Sequence, residues 1–150
     1  MFGLSIKEKL TKKILEASKK HISSYKETVL DTIKANYDEE RQKIYFFGAR
    51  NAYLDDVAND VINSIGQKNP IIGGSIISML SNPSKCGYDE IDISRGLMAG
   101  SLFAICYYAF TDKVASPRDC IELNHLQNDI MDEALKEIAT DMAYESLKNP

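Results

Sequence analysis

Apolar residues along this chain recur at helical rather than strand spacing, and the recurrence divides it into a succession of helices. Between residues 5 and 35, Leu10, Ile14, Ala17, His21 and Tyr25 follow one another three or four places apart, the spacing of one helical face. A second row of Leu15, Ile22, Val29 and Ile33 runs beside the first, and Lys9, Lys12, Lys13, Lys19 and Lys20 fall off the stripe. The pattern predicts one long helix or two in succession. His21-Ile-Ser-Ser24 is the natural break, because serine hydroxyls compete for backbone hydrogen bonds.

Asn36 or Asp38 can cap the next helix, whose first turn would hold Glu39 and Glu40 near its positive end. Four apolar residues in a row, Ile44-Tyr-Phe-Phe47, predict burial on more than one side, and Gly48 a kink or a close crossing. From Ala52 to Ile65 the alternation is clear, with Leu54, Val57, Ala58, Val61 and Ile65 inward and Asp56, Asn59, Asp60 and Asn63 outward. Gly66 suits a C-terminal cap. Asn69-Pro70 then predicts a short helix to about Leu80, with Asn as cap and Pro in the first turn, although two adjacent glycines and four isoleucines leave a strand as the alternative. Ser81 to Gly87 reads as a loop, and Tyr88 to Asp92 as the lead into the following helix.

That following stretch, Gly96 to Phe110, has no charged residue, no proline and no polar stripe. A helix apolar all round is either a membrane span or the centre of a packed core. Its length would be about 22 Å, short of the roughly 30 Å of hydrocarbon a span must cross. Arg95 and Asp112-Lys113 close it off, so the core reading is preferred. Gly96, Gly100 and Ala104, four apart, predict that a neighbouring helix approaches closely. Ser116-Pro-Arg-Asp119 has the layout of a helix start. The last helix is expected to run from there to about Leu147, burying Leu123, Leu126, Ile130, Met131, Ala134, Leu135, Ile138 and Met142. The expected fold class is all-α: a single-domain bundle over 1–150, of about five or six helices around a central apolar helix at about 95–111.

Composition agrees with that picture. With 150 residues, 44% apolar and 27% charged, the chain is long enough to bury about 70% of its unfolded surface without metal or disulfide staples. Three cysteines without a C-x-x-C spacing suggest neither a disulfide framework nor a zinc site. The first residues lack the apolar run of a secretory signal, so a cytoplasmic location is expected. Charge is distributed unevenly. Residues 1–35 carry eight lysines against four acids, whereas Asp119 to Glu145 carry eight acids and only Lys136.

Motifs for chemistry are sparse. Glu122-Leu-Asn-His125 has the spacing of a di-iron ligand pair but occurs once, where such bundles need two copies and two further glutamates. Asp56 and Asp60, at i and i+4, could share a divalent cation, with Glu39 or Glu40 joining from the preceding helix. Cys86, beside Lys85 and Gly87, reads as the exposed thiol and Cys106 as an inert one. Ile72-Gly-Gly-Ser75 lacks the lysine of a phosphate loop, and close packing explains its glycines better. The aromatics Tyr45, Phe46, Phe47, Tyr107, Tyr108 and Phe110 stand apart from the lysines and read as core, which argues against nucleic-acid binding. Membrane binding would want aromatics among the lysines, where only Phe2 is available.

The expected function is therefore a non-catalytic protein-binding module without cofactor or metal, whose acidic last helix engages a basic protein partner. Glu122, Asp129, Asp132, Glu133 and Glu137 are the expected contact residues. Its most specific form is a bacterial toxin-neutralising (immunity-type) inhibitor of a basic nuclease. The alternatives are a small Mg²⁺-dependent phosphohydrolase using Asp56 and Asp60, or a helical homo-oligomeric regulator. Oligomeric state is not legible in the sequence.

Overall fold

The computed structural model describes residues 5–87 and 96–148. Among them are six α-helices, one short 3-10 turn and no strand, so the all-α reading holds. Helix α1 (Ile6–Lys20) starts at Ser5, whose Oγ accepts the Glu8 N–H at 3.1 Å. Glu8 in its first turn and Lys19 and Lys20 in its last complement the helix dipole. The break falls at His21, and α2 (Ile22–Lys34) resumes at once. Asp38, not Asn36, caps α3 (Glu39–Lys68), accepting the Arg41 N–H at 2.8 Å. Asn36 sits at φ 56°, a left-handed conformation that asparagine tolerates. Asn69 accepts the Ile72 N–H at 3.2 Å and starts α4 (Pro70–Leu80) as expected. After a 3-10 turn at Pro83–Cys86 come α5 (Ala99–Thr111) and α6 (Pro117–Lys148). The expected lead-in at Tyr88 to Asp92 lies outside the described residues.

Helix α5 is the apolar centre, although it is shorter than the 95–111 expected. Gly96 has φ 89° and Met98 ψ 155°, so Gly96 to Met98 lie outside the helix, while Arg95 is outside the described residues. Every residue from Ala99 to Cys106 is buried. Helix α5 packs on α1, α4 and α6, whereas α3 packs on α1, α2 and α4. Among the described residues no helix is long and apolar enough to cross a membrane.

Two glycines mark close crossings. A Cβ added at Gly100 would collide with the Cys120 carbonyl and lie 2.9 Å from the Asn124 amide, so α6 approaches α5 where the four-residue repeat predicts. A Cβ at Gly73 would lie 2.7 Å from the Gly66 Cα, the contact between α4 and α3. Gly66 therefore does not cap α3, which continues to Lys68. Gly48 lies within α3 and admits no close neighbour, because nothing lies within 4 Å of its added Cβ. Burial around it is also less than expected: Ile44, Tyr45 and Phe47 are 67%, 48% and 52% exposed. The first turns of α3 extend beyond the core, where Tyr37 stacks on Tyr45 with ring centroids 4.6 Å apart.

A buried polar network joins α6 to the start of α5. Met98 gives α5 no side-chain cap, and its first amides are satisfied from α6 instead. The Gln127 Oε1 accepts the Ala99 N–H at 2.8 Å, and the Asn124 Oδ1 accepts the Gly100 N–H. The Gln127 Nε2 donates to the Ser18 Oγ at 3.2 Å, and that hydroxyl donates to the Ile14 carbonyl at 2.8 Å. The Tyr53 hydroxyl donates to the Ser18 carbonyl at 2.7 Å, bringing α3 into the network. Gln127 is fully buried on a line with Cys120, Leu123, Met131, Ala134 and Ile138. Leu126, Leu135 and Met142, expected inside, are exposed instead, because the inward face of α6 is narrower than the apolar stripe.

Candidate functional site: a groove along the last helix

With Gln127 and its buried neighbours facing inward, α6 turns Asp129, Glu133 and Glu137 toward the groove it forms with α1 and α2. The chain's basic start lies against its acidic end. Lys7 pairs with Asp119 at 2.9 Å, and the Lys26 Nζ meets the Glu137 Oε2 at 2.5 Å. Between these contacts the helices stand apart around a groove of about 570 Å³. Its floor is Leu15, Ile22, Leu126, Ile130 and Ala134, with Lys19 and Lys26 on one side and Asp129, Glu133 and Glu137 on the other. A second hollow of about 710 Å³ also borders Lys26, with Leu30, Ile138 and Met142 among its lining. Glu27, Asp141 and Glu145 flank it, with Lys34 as a further cation.

Three of the five expected contact residues, Asp129, Glu133 and Glu137, thus come together. Glu122 and Asp132 do not line the groove. Glu122 accepts from the Arg118 side chain at 3.1 Å, one turn back on α6. Asp132 is exposed, and its charge acts on Tyr25, whose phenol is raised mainly by burial and further by this carboxylate. Sequence reading did not select Asp141, Glu145, Lys19, Lys26 or Lys34 as site residues. The acidic count already included the first two, but the facing lysines come from segments over a hundred positions earlier, and no local pattern joins them.

The carboxylates expected for metal chemistry are arranged differently. The Asp60 Oδ2 lies 2.8 Å from the His21 Nε2 and 3.2 Å from the Lys20 Nζ. The hydrogen bond with His21 is the main reason its carboxyl sits below the usual range, with Lys20 adding to it. Glu39 and Glu40 belong to the same helix as Asp56, not to a preceding one, and Glu40 is about 24 Å from Asp56 along it. Among the described residues no group of three or more His, Cys, Asp or Glu is placed to hold a metal ion. His125 is exposed on α6.

Cys86 is not the exposed thiol the loop suggested. It is 1% exposed, its Sγ is 3.6 Å from the Met79 Sδ, and burial raises its pKa. Pro83 and Cys86 turn inward from the 3-10 turn, which a reading of Lys85 and Gly87 alone could not anticipate. Cys106 is buried as expected, and burial pushes its thiol up to about 12. Of the aromatics read as core, Tyr45, Phe47 and Phe110 are exposed. Comparison of the chain with known protein families, curated proteins and solved structures finds no match.

Proposed function

We propose that this protein is a non-catalytic binding module whose groove along α6 receives a basic amphipathic helix from a protein partner. The observation that carries this reading is an open apolar floor beside a wall of carboxylates. Across both hollows six acids, Glu27, Asp129, Glu133, Glu137, Asp141 and Glu145, outnumber three lysines. An incoming helix would bury its apolar face on Leu126 and Ile130, supplying affinity. Asp129 and Glu133, which pair with no cation among the described residues, would attract its basic edge and speed encounter. Neutralisation of a basic nuclease toxin by a bacterial inhibitor is the most specific form of this reading, and acidic steering suits such a partner.

The test compares wild type with Asp129→Lys/Glu133→Lys, both substitutions on exposed positions. Each protein is immobilised, exposed to native lysate and eluted with rising salt. A basic protein held by wild type and lost by the variant supports the reading. Equal retention by both refutes the groove as its site.

A second reading, self-association as a homo-oligomeric regulator, is favoured by the exposed Ile44, Tyr45 and Phe47 on α3. Light scattering reads it directly. A mass above one chain that Phe47→Glu reduces supports it, and a monomer at all concentrations removes it.

A further inference from the structure

A different hollow lies where the start of α1 meets the ends of α3 and α5. Ile6, Leu10, Ile65 and Phe110 give it an almost wholly hydrocarbon lining, and its volume is about 260 Å³. Lys9, Lys13 and Lys68 also line it, without any carboxylate. The Lys13 Nζ donates to the Ser64 Oγ at 2.5 Å. Among the described residues none of these three lysines forms an ion pair, whereas Lys7, Lys12, Lys20 and Lys26 of α1 and α2 all do. Lys68, in the last turn of α3, also complements that helix's dipole. Lys9 and Lys13 lie in the first half of α1, where a cation has no such role.

Three lysines without an ion pair among the described residues, beside an apolar slot, concentrate positive potential there. The slot's hydrocarbon lining and the three lysines beside it match a molecule with one apolar chain and one anionic end. At ~30 Å³ for each water-sized unit, the volume holds roughly nine such units, about an eight- to ten-carbon chain. We propose that this slot binds a single-chain anionic amphiphile, a medium-chain carboxylate. Its chain lies along Leu10 and Ile65, and its carboxylate meets the ammonium groups of Lys9, Lys13 and Lys68. The site is separate from the α6 groove and does not depend on it.

The probe is decanoate, titrated below its micelle concentration into the full chain and followed by amide NMR shifts and calorimetry. Decyltrimethylammonium serves as the control of equal chain length and opposite charge. Saturable decanoate shifts centred on Ile6, Leu10, Ile65 and Phe110 are expected, with the cation binding at least tenfold more weakly. Lys9→Gln/Lys68→Gln, on exposed side chains, is expected to weaken decanoate binding about tenfold while leaving the weak response to the cation no weaker. The comparison of the two amphiphiles on wild type stands even if that variant folds poorly. Equal binding of both amphiphiles overturns the proposal, as does decanoate binding unchanged in the double variant. A response to phosphatidylglycerol vesicles with none to monomeric decanoate also overturns it, assigning the lysines to a membrane surface instead.

Discussion

Replacing Gln127 by leucine tests whether the buried amide holds α6 against the start of α5. The side chain is fully buried and its two hydrogen bonds run to different helices. In the variant the Ala99 N–H, at the first position of α5 and without a cap from Met98, loses its acceptor. A buried donor left unsatisfied costs about 1–3 kcal/mol. The Ser18 hydroxyl keeps its bond to Ile14, so losing the Nε2 contact adds only about 0.5–1 kcal/mol. The sum is roughly 1.5–4 kcal/mol, a large share of the ~5–15 kcal/mol that holds a domain folded. With a urea slope near ~2 kcal/mol/M, the midpoint should fall by about 0.8–2 M at unchanged slope.

Gln127→Glu refines the test. Its carboxylate can still accept from Ala99, but it cannot donate to Ser18 while ionised, and burial raises its folded pKa above the unfolded value near ~4.3. The stability this group contributes is therefore present below the unfolded pKa and lost as pH rises through the folded pKa. Urea midpoints measured across pH should show the Glu variant approaching wild type only on the acid side. A leucine variant within about 0.5 kcal/mol of wild type would refute the reasoning, since ordinary surface changes do no more than that.

Other predictions follow from the same geometry. Gly48→Ala, in open space within α3, should stabilise by about 0.5–1 kcal/mol, whereas Gly100→Leu should destabilise by about 1–3 kcal/mol or more by forcing α6 from α5. Denaturant melts of the two variants must move in opposite directions. Asp60 has a lowered folded pKa, so its contribution is present above the unfolded value and lost as pH falls through the folded one. Asp60→Asn should flatten the acid limb of stability against pH, by less than about 1 kcal/mol because the pair is partly solvated. An unaltered acid limb would show that the pair with His21 carries no stability.

The sequence made the helices legible where patterning and caps agreed. Ser5, Asp38 and Asn69 each begin a helix because a short polar side chain can satisfy the free amides there. The core at Ala99 to Cys106 was legible for another reason: no polar edge was left to face water. Apolar content misled at Ile44 to Phe47, because burial needs neighbours on several sides and the first turns of α3 lack them. Gly66 looked like a terminus in one dimension, but it is a contact surface for Gly73. Gln127 was invisible as a core residue because its partners, Ser18 and Ala99, are fixed only by the tertiary fold. For the groove, the acidic wall could be read from charge spacing, while the opposing Lys19 and Lys26 could not.

The most direct test of the groove is a titration with a synthetic helical peptide carrying leucines on one face and arginines on the other. Fluorescence anisotropy would follow its binding to wild type and to Asp129→Lys/Glu133→Lys from low to high salt. Saturable binding by wild type that weakens with salt, and is at least about tenfold weaker in the charge-reversed variant, is the expected result. Equal affinity for both proteins, or equal affinity for a peptide with glutamates in place of the arginines, would contradict the account.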